Sequence, residues 1–162
     1  MSVQAKPEGF HSVTPYLIVD GAAEAIRWYG EALGATEIMR LPMGDKIGHA
    51  EVRIGDSILM LSDEWPEYGK LSPKARGGAT SGFMIYVEDV DAAFERAVSA
   101  GGQVEQPVTD QFYGDRSGSF TDPFGHSWTI STHVEDVPEE ELQRRMAAWS
   151  EQQQAAQAGA AA

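Results

Sequence analysis

The chain has 162 residues, with 25 acidic and 12 basic side chains and a formal net charge of −13, which disfavours binding to nucleic acid or anionic lipid surfaces. It has no cysteine, which excludes disulfides and thiolate metal sites and is typical of a reducing compartment. No segment approaches the roughly 18 apolar residues of a membrane span or the apolar run of a signal peptide, so we expect a cytoplasmic protein with one sizeable core.

The first half is predicted to be a βαβββ module over residues 13–65. Apolar residues recur at helical spacing over 22–33, and Gly34 follows where a left-handed residue would end the helix. His49 and Glu51 are two residues apart in an alternating run, so we expect both on one face of a strand. Four β-rich or alternating runs are predicted strands: 14–20, 36–42, 48–55 and 57–64.

A polar connection rich in Pro and Gly follows over residues 66–81, and the same order of elements then returns over 82–134. Its helix carries Val90, Phe94, Ala97 and Val98 on one face. The tetrapeptide Asp122-Pro123-Phe124-Gly125 has the residue order of a β-turn. Four strands are predicted: 82–88, 103–109, 116–122 and 126–132.

The two halves align when the first is shifted by 68 residues, which places Val19 on Val87 and Gly34 on Gly102. Neither half has the size to bury its sheet face comfortably by itself. We therefore predict an α+β fold in which the two βαβββ modules pair into one curved, barrel-like sheet with the helices outside. The concave face of such a sheet is a pocket.

The chain changes character after His133. Residues 136–150 are predicted to form a helix with Leu142, Met146 and Trp149 on one stripe. This stripe packs either on the body of the subunit or on a partner subunit. We place one domain over 1–150 and expect 151–162, which are rich in Gln and Ala, to be a disordered tail.

Three segments resemble the vicinal oxygen chelate superfamily of glyoxalases, bleomycin resistance proteins and extradiol dioxygenases, in particular its PhnB-like branch. They are TPYLIVDGAAEAIRWYGEALGA, GHAEVRIGDSILMLSDE and DPFGHSWTISTHVEDV, and the similarity extends over about residues 12–145. The resemblance implies that the modules form a barrel-like cleft, often across a homodimer. It also implies a divalent metal held by His and Glu from the first and last strand of each module.

The positions that correspond to those metal ligands are Thr14, Leu59 or Met60, Gly82 and Thr129. None is a carboxylate or an imidazole, and a stable divalent site needs at least three suitable donors. We therefore predict no metal and no other cofactor. A relocated metal site built from His49, Glu51 and His133 stays open as an alternative.

Seven residues are candidates for ligand binding: Thr14, Tyr16, Trp65, Arg116, Thr129, Ser131 and His133. Tyr16 either contacts a ligand or packs in the core, and Trp65 either closes over a ligand or plugs one end of the barrel. Arg116 either clamps an anionic group or forms an ion pair beside a hairpin. His126, directly after the predicted turn, is expected to be solvated or bonded to the turn.

Two hypotheses for function follow. In the first, a dimeric cleft without a metal binds a small aromatic or cationic molecule, and the negative charge of the protein attracts the cation. In the second, the protein is an enzyme of the lyase, isomerase or transferase type that uses a displaced metal or His133 as a general base. A scaffold whose cleft is filled by its own side chains is a third possibility.

Overall fold

The computed structural model describes residues 3–160, which contain eight strands and four α-helices. The strands are β1 (Tyr16–Val19), β2 (Thr36–Met43), β3 (Lys46–Ile54), β4 (Ser57–Asp63), β5 (Gly82–Tyr86), β6 (Gln103–Asp110), β7 (Asp115–Thr121) and β8 (Ser127–His133). The helices are α1 (Ala22–Leu33), α2 (Pro73–Arg76), α3 (Val90–Ser99) and α4 (Glu139–Ala160).

The predicted repeat is confirmed, because each half folds as βαβββ around a four-stranded mixed sheet. The strand orders are β1-β4-β3-β2 and β5-β8-β7-β6. In each sheet the first strand runs parallel to the last, and the other neighbours are antiparallel. Within the described residues no hydrogen-bonded ladder joins the two curved sheets, so they do not form a closed barrel.

The core lies on the helix side of both sheets and is shared by the two modules. Trp128 and Ile130 alternate with Thr129 and Ser131 along β8, a pattern that predicts one inward face, and both are buried. The indole Nε1 of Trp28 in α1 donates to the carbonyl of Ala100, just after α3, at 2.8 Å. The Trp28 ring also lies 6.3 Å from that of Phe120 in β7. The first module thus completes the core of the second.

The predicted turn at Asp122 is also confirmed, and its carboxylate is almost fully buried. The amide of Gly125 donates to the Asp122 carbonyl at 3.1 Å. The carboxylate accepts four further hydrogen bonds of 2.8 to 2.9 Å, from the amides of Phe124 and His126, the Tyr29 hydroxyl and the Trp128 indole. Since Tyr29 belongs to α1, the turn of one module is tied to the helix of the other.

The connection between the modules is an ordered surface segment. It contains a 3-10 turn at Pro66–Tyr68 and the short helix α2, whose cap Ser72 accepts a hydrogen bond from the amide of Ala75. The carboxylate of Glu64 at the end of the first module accepts the amide of Ser72 at 2.5 Å. This bond holds the connection against the body.

The C-terminal helix is longer than expected. Residues 151–160, expected to be disordered, continue α4 as far as Ala160, because Gln and Ala are strong helix formers and no proline interrupts them. Residues 161–162 lie outside the described part. Trp149 of α4 packs on Phe112, with ring centroids 5.6 Å apart, yet Met146 and Trp149 stay about half exposed. No helix in residues 3–160 has the length and apolar character needed to span a bilayer.

Candidate functional site

A cavity of about 610 Å³ lies where the two modules meet, and we call it the seam cavity. Its volume falls in the range of small-molecule sites, about 300 to 1,000 Å³. Asp56 is the one carboxylate on its wall, and no Lys or Arg is among the described lining residues. The walls are formed by His11, Val13, Pro15, Ile54, Gly55, Asp56, Ser57, Ile58, Leu59, Phe83, Met84, Ile85, Tyr86 and Trp128.

A second cavity of about 450 Å³ lies beside the connection, and we call it the connection cavity. Phe83 lines both cavities. On the first module the connection cavity is bounded by Tyr16 and its neighbours in β1, and on the connection by residues that include Arg76, Thr80 and Ser81.

The sheet of the first module carries a chain of polar side chains. Tyr16 and Glu51 both pair with Met60 in the strand ladder, so β1 and β3 present them on one face. The Tyr16 hydroxyl lies 3.1 Å from His49 Nδ1, and His49 Nε2 lies 3.3 Å from Glu51 Oε1. The predicted shared face of His49 and Glu51 is therefore confirmed.

The sheet of the second module carries a cluster around Asp115, which is 4% exposed. Its carboxylate accepts the Tyr86 hydroxyl at 2.9 Å and the Ser131 hydroxyl at 3.1 Å. His133 Nδ1 lies 2.7 Å from the same carboxylate, and His133 Nε2 lies 3.0 Å from Asp136. The strand register explains the cluster, because Asp115 pairs with His133 and Tyr86 with Ser131.

These contacts shift the pKa values of the groups in the cluster. Burial alone would raise the pKa of Asp115, but hydrogen bonds from His133, Tyr86 and Ser131 outweigh it and the pKa is lowered. The hydrogen bond to Asp115 raises the pKa of Tyr86, and hydrogen bonds to Asp115 and Asp136 raise that of His133. A raised pKa disfavours the neutral imidazole that the general base hypothesised from the sequence requires.

We expect this cluster to make stability depend on pH. A His133 pKa raised above its ordinary 6.5 gives stabilisation that is complete below that value and is lost as pH rises through the folded-state pKa. The lowered pKa of Asp115 gives stabilisation that is lost as pH falls below about 4. The melting temperature of His133→Gln should therefore lie further below that of the wild type at about pH 5.5 than at about pH 8.5. An equal difference at both pH values would contradict the assignment.

The relocated metal site considered from the sequence is not assembled. His49 and Glu51 are neighbours, but His133 pairs with Asp115 and Asp136 of the other module. Within residues 3–160, no group of three or more His, Cys, Asp or Glu side chains is placed to hold a metal ion.

The other sequence candidates are dispersed. The Thr14 hydroxyl donates to the carbonyl of His11 at 3.2 Å, and Trp65 packs under the ammonium of Lys46 at 5.0 Å. Arg116 forms ion pairs with Asp91 at 2.7 Å and Asp110 at 3.0 Å, so its guanidinium is used within the protein. Thr129 pairs with Met84 in the sheet. None of the seven candidates lines the seam cavity, and Tyr16 lines the connection cavity.

Four of the seam-cavity residues that the sequence analysis missed lie on β5. Met84 and Tyr86 alternate with Phe83 and Ile85, and both pairs reach the cavity. The alternation is visible in the sequence, but it predicts only a half-buried strand and not a cavity wall. Only the way the modules pack leaves both faces of β5 open to one cavity.

His126 corrects another expectation, because its ring is buried rather than solvated. It is 7% exposed and lies 6.2 Å from the Phe83 ring in the wall of the connection cavity. Its backbone is bonded to the turn as expected, but its Nδ1 has no hydrogen-bond partner among the described residues. Burial lowers the pKa of this imidazole.

Comparison with known proteins gives a consistent picture. Residues 9–130 match the family model described as the Glyoxalase/Bleomycin resistance protein/Dioxygenase superfamily. An uncharacterised protein of Mycobacterium tuberculosis is 39% identical over 150 residues, covering 90% of this chain and 86% of the relative. A crystal structure of a Pseudomonas aeruginosa protein is 32% identical, with a TM-score of 0.62, covering 77% of this chain and 99% of that protein. A PhnB protein from Bacillus cereus shares the fold. It is 17% identical with a TM-score of 0.58, and the match covers 75% of this chain and 99% of that protein.

Proposed function

The chain belongs to the glyoxalase/bleomycin resistance protein/dioxygenase superfamily, and we propose that it is a small-molecule-binding protein whose ligand, an aromatic compound that is neutral or cationic, is held without a metal ion. The observation that carries this proposal is the seam cavity, which draws its walls from both modules. A cavity at such a junction is a common position for a ligand site.

The chemistry of the walls argues for the ligand class. Phe83, Tyr86 and Trp128 offer aromatic surface, and Ile58 and Leu59 offer aliphatic surface. Aromatic ligands pack well on such walls, and a cation gains further from the faces of the rings. The carboxylate of Asp56 and the net charge of −13 attract positive charge.

The Asp115 cluster supports this role by fixing one wall. Tyr86 lines the cavity while its hydroxyl is held by Asp115, which in turn holds Ser131 and His133. We propose that Ser131 and His133 act on the ligand through this support, and that Thr14 contributes at the rim between Val13 and Pro15. The remaining candidates are Tyr16, Trp65, Arg116 and Thr129. They stay predictions for a binding site that extends beyond the seam cavity.

We further propose that the protein is a cytoplasmic homodimer. Exposed apolar side chains on β2 and β5, among them Leu41, Met43 and Tyr86, support the dimer because a second copy would cover them. Sedimentation velocity measures the state directly, and a monomer at about 100 µM would contradict it.

We expect binding at the seam cavity to respond to a charge placed on its wall. Met84→Lys should weaken the binding of aromatic compounds at least tenfold, because the ammonium repels cations and hydrates an apolar wall. Val104→Lys is the matched control, since Val104 is an apolar residue of similar exposure that lies outside the cavity. Calorimetry with benzyltrimethylammonium and its neutral isostere neopentylbenzene measures both affinity and the preference for charge.

Two outcomes would contradict the proposal. If Met84→Lys and Val104→Lys bind the compounds equally well, the ligand does not occupy the seam cavity. If the wild type binds neither benzyltrimethylammonium nor neopentylbenzene, the proposed ligand class is wrong.

A further inference from the structure

The polar chain on the first module has the layout of a proton relay. We propose that Glu51, His49 and Tyr16 form such a relay, in which Tyr16 is an activated phenol that exchanges protons with a small carboxylate-bearing molecule bound in the connection cavity. This site shares only Phe83 with the seam cavity among the described residues, and the inference does not rest on the function proposed above.

The first step is the tautomer of His49. An ionised Glu51 is an acceptor only, so the proton facing it must sit on His49 Nε2. In the neutral imidazole Nδ1 then carries a lone pair, and at 3.1 Å it accepts the hydroxyl of Tyr16. A carboxylate that orients an imidazole, which in turn accepts a hydroxyl proton, is the arrangement that activates hydroxyl nucleophiles in other enzymes.

The second step is the charge that develops when the relay acts. Transfer of the Tyr16 proton to His49 Nδ1 leaves a phenolate and an imidazolium. The imidazolium lies against Glu51, and the ammonium of Lys70 lies 5.7 Å from the centre of the Tyr16 ring. The side chains of His49 and Glu51 are 25% and 18% exposed, so water screens their attraction only in part.

The second module provides a contrast. Tyr86 is also on a first strand, but its hydroxyl donates to the carboxylate of Asp115 and not to an imidazole. That contact raises the pKa of Tyr86 and keeps its proton on the phenol. Of these two tyrosines, only Tyr16 faces an imidazole, which is a stronger base than a carboxylate.

The third step is the class of molecule that would meet Tyr16. Arg76 lines the connection cavity together with Tyr16, and Thr80 and Ser81 add hydroxyls. Arg76 donates to the carbonyl of Gly69, and in residues 3–160 it forms no ion pair with a carboxylate. A carboxylate is the natural partner of a guanidinium left without one.

An activated ester tests the relay without knowledge of the natural substrate. With p-nitrophenyl acetate, the Tyr16 oxygen bonds to the ester carbonyl carbon, p-nitrophenolate leaves, and the phenol proton passes to His49 Nδ1. Peptide mass spectrometry at short reaction times measures the acetyl group on each tyrosine. Tyr68 is the internal control, because it is 77% exposed against 43% for Tyr16 and makes no side-chain hydrogen bond among the described residues.

We expect Tyr16 to be acetylated at least tenfold faster than Tyr68 in the wild type. His49→Gln should bring Tyr16 down to the rate of Tyr68 while leaving Tyr68 unchanged. Glu51→Gln should slow Tyr16 by a smaller factor, and it provides a second variant if His49→Gln is unstable. The relay would be overturned if Tyr16 and Tyr68 of the wild type were acetylated at equal rates. It would also be overturned if neither substitution slowed the acetylation of Tyr16.

Benzoate tests the ligand class in the same assay. Millimolar benzoate should protect Tyr16 of the wild type, whereas the neutral benzyl alcohol should not. Arg76→Gln should lose at least tenfold in protection by benzoate, measured against acetylation of Tyr16 in the same variant without benzoate. The assignment of a carboxylate ligand would be overturned if benzoate and benzyl alcohol protected Tyr16 equally, or if benzoate protected the wild type and Arg76→Gln equally. The relay is tested separately, by the acetylation rates without either compound.

Discussion

Replacing Asp122 by alanine is expected to lower the free energy of unfolding by about 3 to 5 kcal/mol. The carboxylate is 3% exposed and accepts hydrogen bonds from two amides, one hydroxyl and one indole. Alanine removes every acceptor and leaves these donors without partners in a dry site. Loss of a buried network of this kind belongs to the small set of mechanisms that give large effects.

Urea denaturation of Asp122→Ala measures the loss, and Asp45→Ala at an exposed turn is the matched control that should change stability by less than about 0.5 kcal/mol. A double-mutant cycle with Tyr29→Phe isolates the bond that joins the two modules. A loss below about 1 kcal/mol in Asp122→Ala would show that the network contributes little to the fold.

Replacing Gly114 by alanine is expected to cost about 2 to 5 kcal/mol and to disturb the Asp115 cluster. Gly114 has a φ of +97°, and an added Cβ would overlap the carbonyl oxygen of Glu135. The Gly114 carbonyl also accepts the amides of Val134 and Glu135 at 2.9 and 3.0 Å. The backbone must therefore move at the residue that immediately precedes Asp115.

Gly44 provides the control for this effect. It also has a positive φ, +65°, but no atom of the described residues lies within 4 Å of an added Cβ. Gly44→Ala should therefore show only the backbone cost of about 1 kcal/mol. Urea denaturation gives both values, and NMR of the His133 ring reports whether the cluster is disturbed. Equal losses of unfolding free energy in the two variants would mean that the backbone moves away from Glu135 without a loss of stability.

The fold could be predicted because its signals are local and repeated. Alternation along β8 placed Trp128 and Ile130 in the core, and helical spacing placed Tyr29 and Phe94 there. The turn at Asp122 was visible in four consecutive residues. Each of these signals depends on a few neighbouring positions, and the structure agrees with them.

The polar clusters were harder to predict because they depend on strand register across distant segments. The predicted strand begins at Arg116, yet β7 begins one residue earlier, at Asp115, and pairs it with His133. A shift of one residue at a strand end therefore hid the buried carboxylate. For the first module, alternation did place His49 with Glu51, but the contact with Tyr16 arises through β4, which lies between their strands.

The shared core makes each module depend on the other for its folding. Trp28 and Tyr29 reach from α1 into the second module, and Arg96 of α3 donates to the carbonyl of Ala32 at 3.1 Å. A half-molecule cut in the connection would keep all its strands but expose the aromatic surface that the other half covers. The folding unit is therefore the pair, and both halves should melt in a single cooperative transition.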